Sequence, residues 1–219
     1  EVAGPLRLGS VNATMREIVP PAVQRLLADH PRLEISAQDG VASTFLPLLR
    51  SGDLDVVIAE SWENRRLSVP PGITLERLLE EEVDLAVPAG HALADRGSSD
   101  LSDLSDEPWI ACPASAEAHH GMIQALRERG TEPRIAFTVT DFATQLEIVR
   151  AGLALALVPR IAQPWSSGGV DFLPCRPAVN RSFVVLVREG PARPTVQACL
   201  QALRAVAGTR GRGPVDLSR

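Results

Sequence analysis

Two short, almost wholly apolar runs constrain the fold of this chain more than any other feature. Residues 54–59 read LDVVIA, and residues 153–159 read LALALVP. The first is a near-continuous apolar run of the kind that a parallel sheet buries on both faces, and the second is typical of a buried strand. Parallel neighbours need crossover connections, which are usually helices, so strands and helices should alternate around each run. The two runs therefore predict an α/β architecture.

The sequence before residue 60 has this alternation. The period of the apolar residues predicts strands at 6–9, 33–38 and 54–59 and helices at 18–27 and 42–52. Pro20 and Pro21 fit only the first turns of the first helix, because a proline deeper inside removes a hydrogen bond and clashes. Ser43 or Thr44 is the expected cap of the second helix, and Gly52 is its expected end.

The rest of the chain predicts a second unit of the same kind. Residues 60–72 are expected to form a loop, and residues 208–219 a disordered tail. Thr140 or Asp141 should cap the helix that follows it. The predicted strands are 73–79, 83–87, 108–112, 134–139, 153–159, 170–174 and 182–187, and the predicted helices are 118–129, 142–151 and 195–207.

Composition excludes several classes of protein. The 22 basic residues are outnumbered by 27 acidic ones, which gives a formal net charge of −5, whereas a nucleic-acid-binding module carries a dense basic face. No run approaches the roughly 20 apolar residues of a membrane span. Cys112, Cys175 and Cys199 are an odd number without close pairing, which favours reduced thiols over a disulfide framework or a zinc site. We therefore expect a cytoplasmic protein without a cofactor, a metal or a membrane contact.

The turn after the first strand carries Ser10, Asn12 and Thr14. The carboxyl ends of strands in open α/β sheets are where ligands bind, since the N–H groups of the next helix face solvent there. A phosphate loop is excluded, because the chain has no G-x-x-x-x-G-K-[ST] pattern and no lysine. The alternative is that Thr14 only caps the helix and that the other two side chains only form the turn.

Other strand ends supply further candidates by the same rule. Asp39 has the alternative of a plain Asp-Gly turn, and Glu60 that of an exposed loop residue. A lining with a few polar groups among apolar ones suits a small organic ligand. The predicted ligand-binding residues are Ser10, Asn12, Thr14, Asp39, Glu60, Cys112, Ser115, Thr140, Asp141, Phe142 and Pro159.

The sequence offers little for metal binding or catalysis. Side chains of neighbouring residues on a helix diverge by about 100°, so His119 and His120 are poorly placed to share one metal ion. One of them could instead read the charge of a ligand. The candidate catalytic set is Cys112 with His119 or His120 and Asp141, and no G-x-S-x-G nucleophile elbow accompanies it.

Several segments together resemble the effector-binding domain of the bacterial LysR-type transcriptional regulators. They occur in the order GPLRLG, SGDLDVVIA, PAGHALA, IVRAGLALALVPR and RSFVVLVREG, and the resemblance covers about residues 4–207. It implies an α/β fold of the type II periplasmic-binding-protein kind, with two Rossmann-like lobes joined by two crossover strands. The crossovers would be 83–87 and 184–187, lobe I 4–85 plus 184–207, and lobe II 86–183. An effector would lie in the cleft between the lobes, and Asp53 and Asp55 would have a role in the fold.

The resemblance also implies a function and partners. The domain would sense a small-molecule effector and perform no chemistry. It would form a homodimer or homotetramer, with residues 17–29 packing near residues 118–129 of a partner subunit. DNA would be bound only by an N-terminal winged helix-turn-helix that this sequence does not contain. The alternatives are the periplasmic solute-binding protein of an importer and a small-molecule hydrolase or transferase.

Overall fold

The computed structural model describes residues 2–164 and 168–210. The strands are β1 (Gly4–Ser10), β2 (Leu33–Asp39), β3 (Val56–Trp62), β4 (Ile73–Pro88), β5 (Pro108–Ala111), β6 (Arg134–Thr138), β7 (Ala156–Pro159) and β8 (Val170–Arg188). The helices are α1 (Asn12–Glu17), α2 (Val19–Asp29), α3 (Ala42–Ser51), α4 (Glu117–Arg127), α5 (Phe142–Arg150) and α6 (Pro194–Arg210). The expected alternation of strands and helices is therefore present.

The chain divides into two compact units. Unit 1 comprises Glu1–Glu60, Ser68–Glu80 and Ser182–Arg219, and unit 2 comprises Ser61–Leu67 and Glu81–Arg181. Strands β4 and β8 contribute residues to both units. The lobe limits inferred from the sequence lie slightly further along both strands and stay a prediction.

Parallel pairing organises the strands of unit 1. β1 pairs with β2 along its whole length, from Gly4 opposite Leu33 to Ser10 opposite Asp39, and it pairs with β3 on its other side. Neighbouring strands follow the order β2-β1-β3-β8-β4-β7. The apolar run at 54–59 contributes to β3, the third strand of this order, where the side chains of Val56, Val57 and Ile58 are fully buried.

Unit 2 contains a second, smaller sheet. This sheet consists of β5 and β6, which pair in parallel. β7 belongs to the larger strand order and pairs with β4 in the antiparallel direction. The core of this unit is built from apolar residues of α5, β4, β5 and β7: Ala86, Ile110, Leu146, Val149, Ala156 and Val158. The second apolar run thus lies in the core as predicted, although its strand begins only at Ala156.

Four short strands were predicted at 73–79, 83–87, 170–174 and 182–187. This prediction was wrong, because no break separates the two members of each pair. Each pair is one long strand, β4 or β8. The acidic stretch from Glu80 to Asp84 resembles a solvated turn in the sequence, but basic residues neutralise it within unit 2. Arg181 Nε donates to Glu81 Oε1 at 2.9 Å, and Arg160 Nη2 donates to Glu82 Oε2 at 2.7 Å. Glu81 and Glu82 are therefore paired along a continuous strand.

Helix boundaries differ from the predictions in three places. The α3 cap is Val41, without a side-chain hydrogen bond, so Ser43 and Thr44 lie inside that helix. α1 is a separate short helix that was not predicted before α2. α6 continues to Arg210, so residues 208–210 belong to a helix, and the remainder of the predicted tail lies outside the described residues.

Two other helix predictions are confirmed. Pro20 and Pro21 lie in the first turn of α2, where their missing N–H groups remove no helical bond. α3 ends at Gly52, whose φ of 87° is the left-handed conformation that glycine adopts without strain. Within the described ranges, no helix is long and apolar enough to cross a membrane.

Candidate functional site

The predicted binding residues of unit 1 lie where β1, β2 and β3 end. Ser10 is the last residue of β1, and in the register it lies opposite Asp39 of β2 and Ile58 of β3. Glu60 follows Ile58 on β3. The Gly40 N–H donates to the Ser10 carbonyl at 3.0 Å, which ties the turn after β2 to the end of β1. Parallel pairing therefore brings Ser10, Asp39 and Glu60 to one edge of the sheet.

A pair of buried hydroxyls holds the turn between β1 and α1. Ser10 Oγ and Thr14 Oγ1 are 2.7 Å apart, and both residues are fully buried. Both hydroxyl oxygens also lie within hydrogen-bond distance of the Val11 carbonyl oxygen, at 3.2 and 3.1 Å, so one hydroxyl donates to the other and the second donates to Val11. Val11 is the helix cap, without a side-chain cap bond, so the alternative in which Thr14 caps the helix was wrong. The hydroxyl pair fixes the turn, and Asn12 is left exposed beside it.

The two acidic candidates of unit 1 differ in environment. Asp39 is exposed at the end of β2. Glu60 is only 5% exposed and lies within β3, so the alternative of an exposed loop glutamate was wrong. A carboxylate in such a position is retained only with polar or charged neighbours, since burial of an isolated charge is costly. Gly40 has a packing role, because a Cβ there would lie 2.7 Å from Cζ of Phe45.

In unit 2, Cys112 connects the ends of β5 and β6. Its buried thiol donates to the Thr140 carbonyl at 3.7 Å. Gln145 of α5 donates through Nε2 to Cys112 Sγ at 3.4 Å and to the Val139 carbonyl at 2.9 Å. The sequence reasoning missed Gln145, although a glutamine beside Leu146 on the buried face of α5 was a usable signal. Gln145 thus fixes the two strand ends that carry the predicted residues.

Asp141 is the cap of α5, as one of the two predicted alternatives had it. Its Oδ1 accepts a hydrogen bond from the Thr144 N–H at 2.9 Å. Hydrogen bonding by this N–H holds the pKa of the Asp141 carboxyl below its usual value, so the group is ionised at neutral pH. Thr140, just before it, is exposed. Unit 2 therefore places a negative charge and a hydroxyl together at the end of β6.

Phe142 contacts a buried charge pair. The Arg181 guanidinium lies 5.9 Å from the centre of the Phe142 ring, within the range of a cation–π contact. Arg181 pairs with Glu81, whose other carboxylate oxygen accepts the Ile161 N–H at 2.7 Å. Ile161 follows the end of β7, where Pro159 is buried. These contacts connect the neighbourhoods of Phe142 and Pro159, whereas Ser115 is an exposed residue of the turn before α4.

The candidate catalytic residues make other bonds. His119 Nδ1 lies 2.8 Å from the Cys112 carbonyl oxygen and serves that backbone group. The Asp141 carboxylate accepts the α5 N–H bond described above. The rings of His119 and His120 meet edge to face, 5.4 Å apart. In the described part of the chain, no group of three His, Cys, Asp or Glu side chains is arranged to hold a metal ion.

Two thiols are chemically shielded. Burial raises the pKa of Cys175 to about 12, and the nearby Asp84 charge adds to the shift. Burial likewise raises the pKa of Cys199 to about 12, with a contribution from Asp55. Because the thiolate is the reactive form, both thiols are expected to be inert at neutral pH.

We predict that a disulfide reagent such as DTNB at pH 8 will not modify Cys175 and Cys199 in the native protein. Both thiols should react within minutes once the chain is unfolded in urea, because burial is then lost. Mass spectrometry of peptides after timed labelling measures each site separately. Native labelling of Cys199 at the rate of the unfolded chain would show that its surroundings open far more readily than its burial implies.

A family model and several curated proteins match the sequence of this chain. The family model described as LysR substrate binding domain matches residues 1–208. The HTH-type transcriptional regulator TtuA of Agrobacterium vitis is 27% identical over 173 residues, which are 77% of this chain and 55% of that protein. The malonate utilization transcriptional regulator of Klebsiella pneumoniae is 28% identical over 160 residues, 71% of this chain and 50% of that protein. The chain thus spans about half the length of these two regulators.

A third relative is covered more fully. The DNA-binding transcriptional dual regulator OxyR of Escherichia coli K12 is 27% identical over 212 residues, which are 93% of this chain and 67% of OxyR. All three relatives are named as transcriptional regulators, not as enzymes or transport proteins. The comparisons therefore favour neither the importer component nor the hydrolase or transferase.

Solved structures show the fold. The C-terminal domain of a probable LysR family regulator from Rhodococcus sp. RHA1 has a TM-score of 0.80 at 24% identity, covering 92% of this chain and 99% of that one. The effector binding domain of QuiR in complex with shikimate has a TM-score of 0.81 at 20% identity, covering 95% and 99%. The BenM effector binding domain with its effector benzoate has a TM-score of 0.80 at 21% identity, covering 99% and 97%. The predicted fold class is confirmed.

Proposed function

Since the chain belongs to the LysR substrate-binding domain family, we propose that it binds a small organic effector through the strand ends of its two units. The observation that carries this proposal is the convergence of three strand ends in unit 1 around the buried Ser10–Thr14 hydroxyl pair. A rigid turn with hydroxyl and backbone groups at a sheet edge is a common way to recognise a small polar ligand.

Unit 2 contributes the second group of binding residues in this proposal. Asp141, kept ionised by its helix N–H bond, and the exposed Thr140 offer a charge and a hydroxyl. Phe142 offers an apolar ring that the Arg181 contact holds in place. Solved relatives in complex with shikimate and benzoate support an effector of comparable size.

Mechanistically, the effector acts by binding one arrangement of the protein more tightly than another. A ligand shifts a conformational balance only by the difference between its affinities for the two states. In the intact cytoplasmic regulator, this shift reorients the subunits of a homodimer or homotetramer. An N-terminal winged helix-turn-helix then carries the response to DNA.

Two of the three thiols favour an organic effector over thiol oxidation as the signal. One relative is OxyR, and another curated relative, likewise 27% identical to this chain, is named a hydrogen peroxide-inducible genes activator. Here Cys175 and Cys199 have strongly raised pKa values, the opposite of what a peroxide-reactive thiol needs.

A thermal-shift screen of amino acids, aromatic acids and sugar acids tests the proposal. At 100 times its dissociation constant, a ligand stabilises the native state by about 2.7 kcal/mol. For a domain of this size, that corresponds to a rise in melting temperature of roughly 5–10 °C. We predict such a rise for at least one compound and a much smaller one in Thr14→Val.

The matched control is Thr131→Val in unit 2. Thr131 is also fully buried, and its hydroxyl donates to the Leu101 carbonyl at 2.9 Å, away from the strand ends. This variant loses a comparable hydrogen bond and should keep the ligand-induced rise. Equal loss of the rise in both variants, or no rise with any compound of a broad library, counts against effector binding at these residues.

A further inference from the structure

A buried ion pair joins the two strands on which the main segment of unit 2 begins and ends. That segment runs from Glu81, on β4, to Arg181, on β8. Arg181 Nε donates to Glu81 Oε1 at 2.9 Å, and the side chains of Arg181 and Glu81 are 1% and 7% exposed. β4 and β8 are neighbours in the strand order. The pair therefore fastens the two strands together at the residues where the chain enters and leaves this segment.

Each member of the pair also contacts a part of the predicted binding edge of unit 2. The Arg181 guanidinium lies 5.9 Å from the centre of the Phe142 ring, and Phe142 packs against the core of this unit. Glu81 Oε2 accepts the N–H of Ile161 at 2.7 Å, two residues after Pro159. The contacts therefore form one path from the start of α5, through β8 and β4, to the turn after β7.

The two ends of this path differ in how firmly they are held. The turn after β7 has further anchors on β4, because Arg160 Nε and Gln163 Nε2 donate to Asp84 Oδ2 at 3.2 and 2.8 Å. Loss of the Glu81 bond would therefore leave the turn attached to β4. The Phe142 ring instead faces Arg181, which Glu81 holds. Phe142 is thus the end of the path at which a change of Glu81 should be measurable.

Stability alone does not account for a buried pair of this kind. Removing two charges from water costs about as much as their attraction returns, so apolar side chains of similar volume are often equally stable. Some buried pairs are retained instead because they select one arrangement of their surroundings. Apolar side chains at Glu81 and Arg181 could fill the same space, but they would neither accept the Ile161 N–H nor place a cation over Phe142. The pair is therefore suited to fixing an arrangement.

We propose that the Glu81–Arg181 pair transmits effector binding in unit 2 to strands β4 and β8. An effector that contacts Phe142 displaces its ring against Arg181, and the pair passes the displacement to both strands because it joins them. Glu81 is a positioning residue in this scheme, since it acts on the ring only through Arg181. The inference rests on the proposed function for the nature of the signal, but the coupling between Glu81 and Phe142 exists without an effector.

Fluorine NMR of the protein labelled with 4-fluorophenylalanine tests the coupling in the absence of any effector. Phe142→Leu assigns the Phe142 resonance among those of the five phenylalanines. Coupling between two sites is reciprocal, so a change made at Glu81 and measured at Phe142 reports the same coupling as the reverse. Glu81→Gln keeps the shape of the side chain but removes its charge. In this variant the Phe142 resonance should broaden or split, because the ring is no longer held in one orientation.

Glu82→Gln is the matched control for this measurement. Glu82 is the next residue of β4 and also pairs with an arginine, but its partner is Arg160, and both side chains of that pair are more than a third exposed. This variant should leave the Phe142 resonance single and at its native position. Glu81→Asp keeps the charge on a shorter side chain, and it should recover part of the native line width.

A double variant, Glu81→Met with Arg181→Met, keeps the test decisive if Glu81→Gln does not fold. It removes both buried charges, so it should melt within about 5 °C of the native protein and still show the broadened Phe142 resonance. A single, sharp Phe142 resonance in the folded variants that lack the pair would overturn the proposal, and so would equal broadening in Glu82→Gln. The thermal screen is a separate test, because it can refute effector binding whatever the Phe142 resonance shows.

Discussion

Replacing Asp55 by alanine is expected to lower the free energy of unfolding by about 3–4 kcal/mol. The variant leaves the guanidinium groups of Arg7, Arg188 and Arg193 without the carboxylate that all three contact. It also removes the acceptor of the Arg7 backbone N–H, which donates to Asp55 Oδ2 at 2.9 Å. Partial exposure of the arginines moderates the loss, because water can solvate them. The midpoint and slope of urea unfolding measure the change.

Asp53→Ala is the matched control for this experiment. Asp53 is the other aspartate of the same sequence motif, but it is exposed, so its removal should change the stability by less than about 1 kcal/mol. Similar losses in the two variants would show that the three arginines contribute little through Asp55.

The Asp55 carboxyl also makes the stability of the protein depend on pH. Burial acts to raise the pKa of Asp55, but hydrogen bonds from the Arg7 side chain and backbone, with the charges of Arg193 and Arg7, bring it below its usual value. A carboxyl whose pKa is lower in the folded state stabilises the protein above its unfolded value of about 3.9, and this contribution is lost as the pH falls through the folded pKa. The native protein should therefore lose stability below about pH 4, and Asp55→Ala should lose less over that range.

Replacing Gly121 by valine is expected to lower the free energy of unfolding by about 3 kcal/mol or more. A Cβ at Gly121 would lie 2.1 Å from Cδ2 and 2.3 Å from Cγ of Trp62, which is fully buried. The indole cannot move aside cheaply in a packed interior. Even alanine should destabilise, since its helix propensity gains only about 1 kcal/mol over glycine. Thermal unfolding and urea titration of both variants measure these losses.

Gly208→Ala is the control for the valine and alanine variants. Gly208 also lies in a helix, but a Cβ there meets nothing within 4 Å. This substitution should be neutral or stabilise by up to about 1 kcal/mol, because only the propensity changes. An alanine at Gly121 that behaves like the one at Gly208 would contradict the close packing of Trp62 against α4.

The fold could be predicted from the sequence because its main signals are local. Strand β1 and the helix end at Gly52 follow from period and turn chemistry within a few residues. The continuity of β4 was not predicted, because Glu81 and Glu82 pair with Arg181 and Arg160, which lie far away in the chain. Charges that look solvated in a sequence are paired in the fold.

The candidate site was predictable only as positions along the chain. The rule that ligands bind at the carboxyl ends of strands selected Ser10 and Asp39. The pairing of β1 with β2 brings these two residues opposite each other. It did not give the Ser10–Thr14 hydroxyl bond or the burial of Glu60. Gln145 was missed because its contact with Cys112 joins two elements of unit 2 that only the folded chain brings together.

Calorimetric titration of the effector found by the thermal screen tests the central claim most directly. One effector should bind per chain, and its affinity should fall by tenfold or more both in Thr14→Val of unit 1 and in Thr140→Val of unit 2. Thr131→Val should bind like the native chain. Native affinity in either strand-end variant would contradict recognition by both units, and the absence of saturable heat with every compound would contradict effector binding itself.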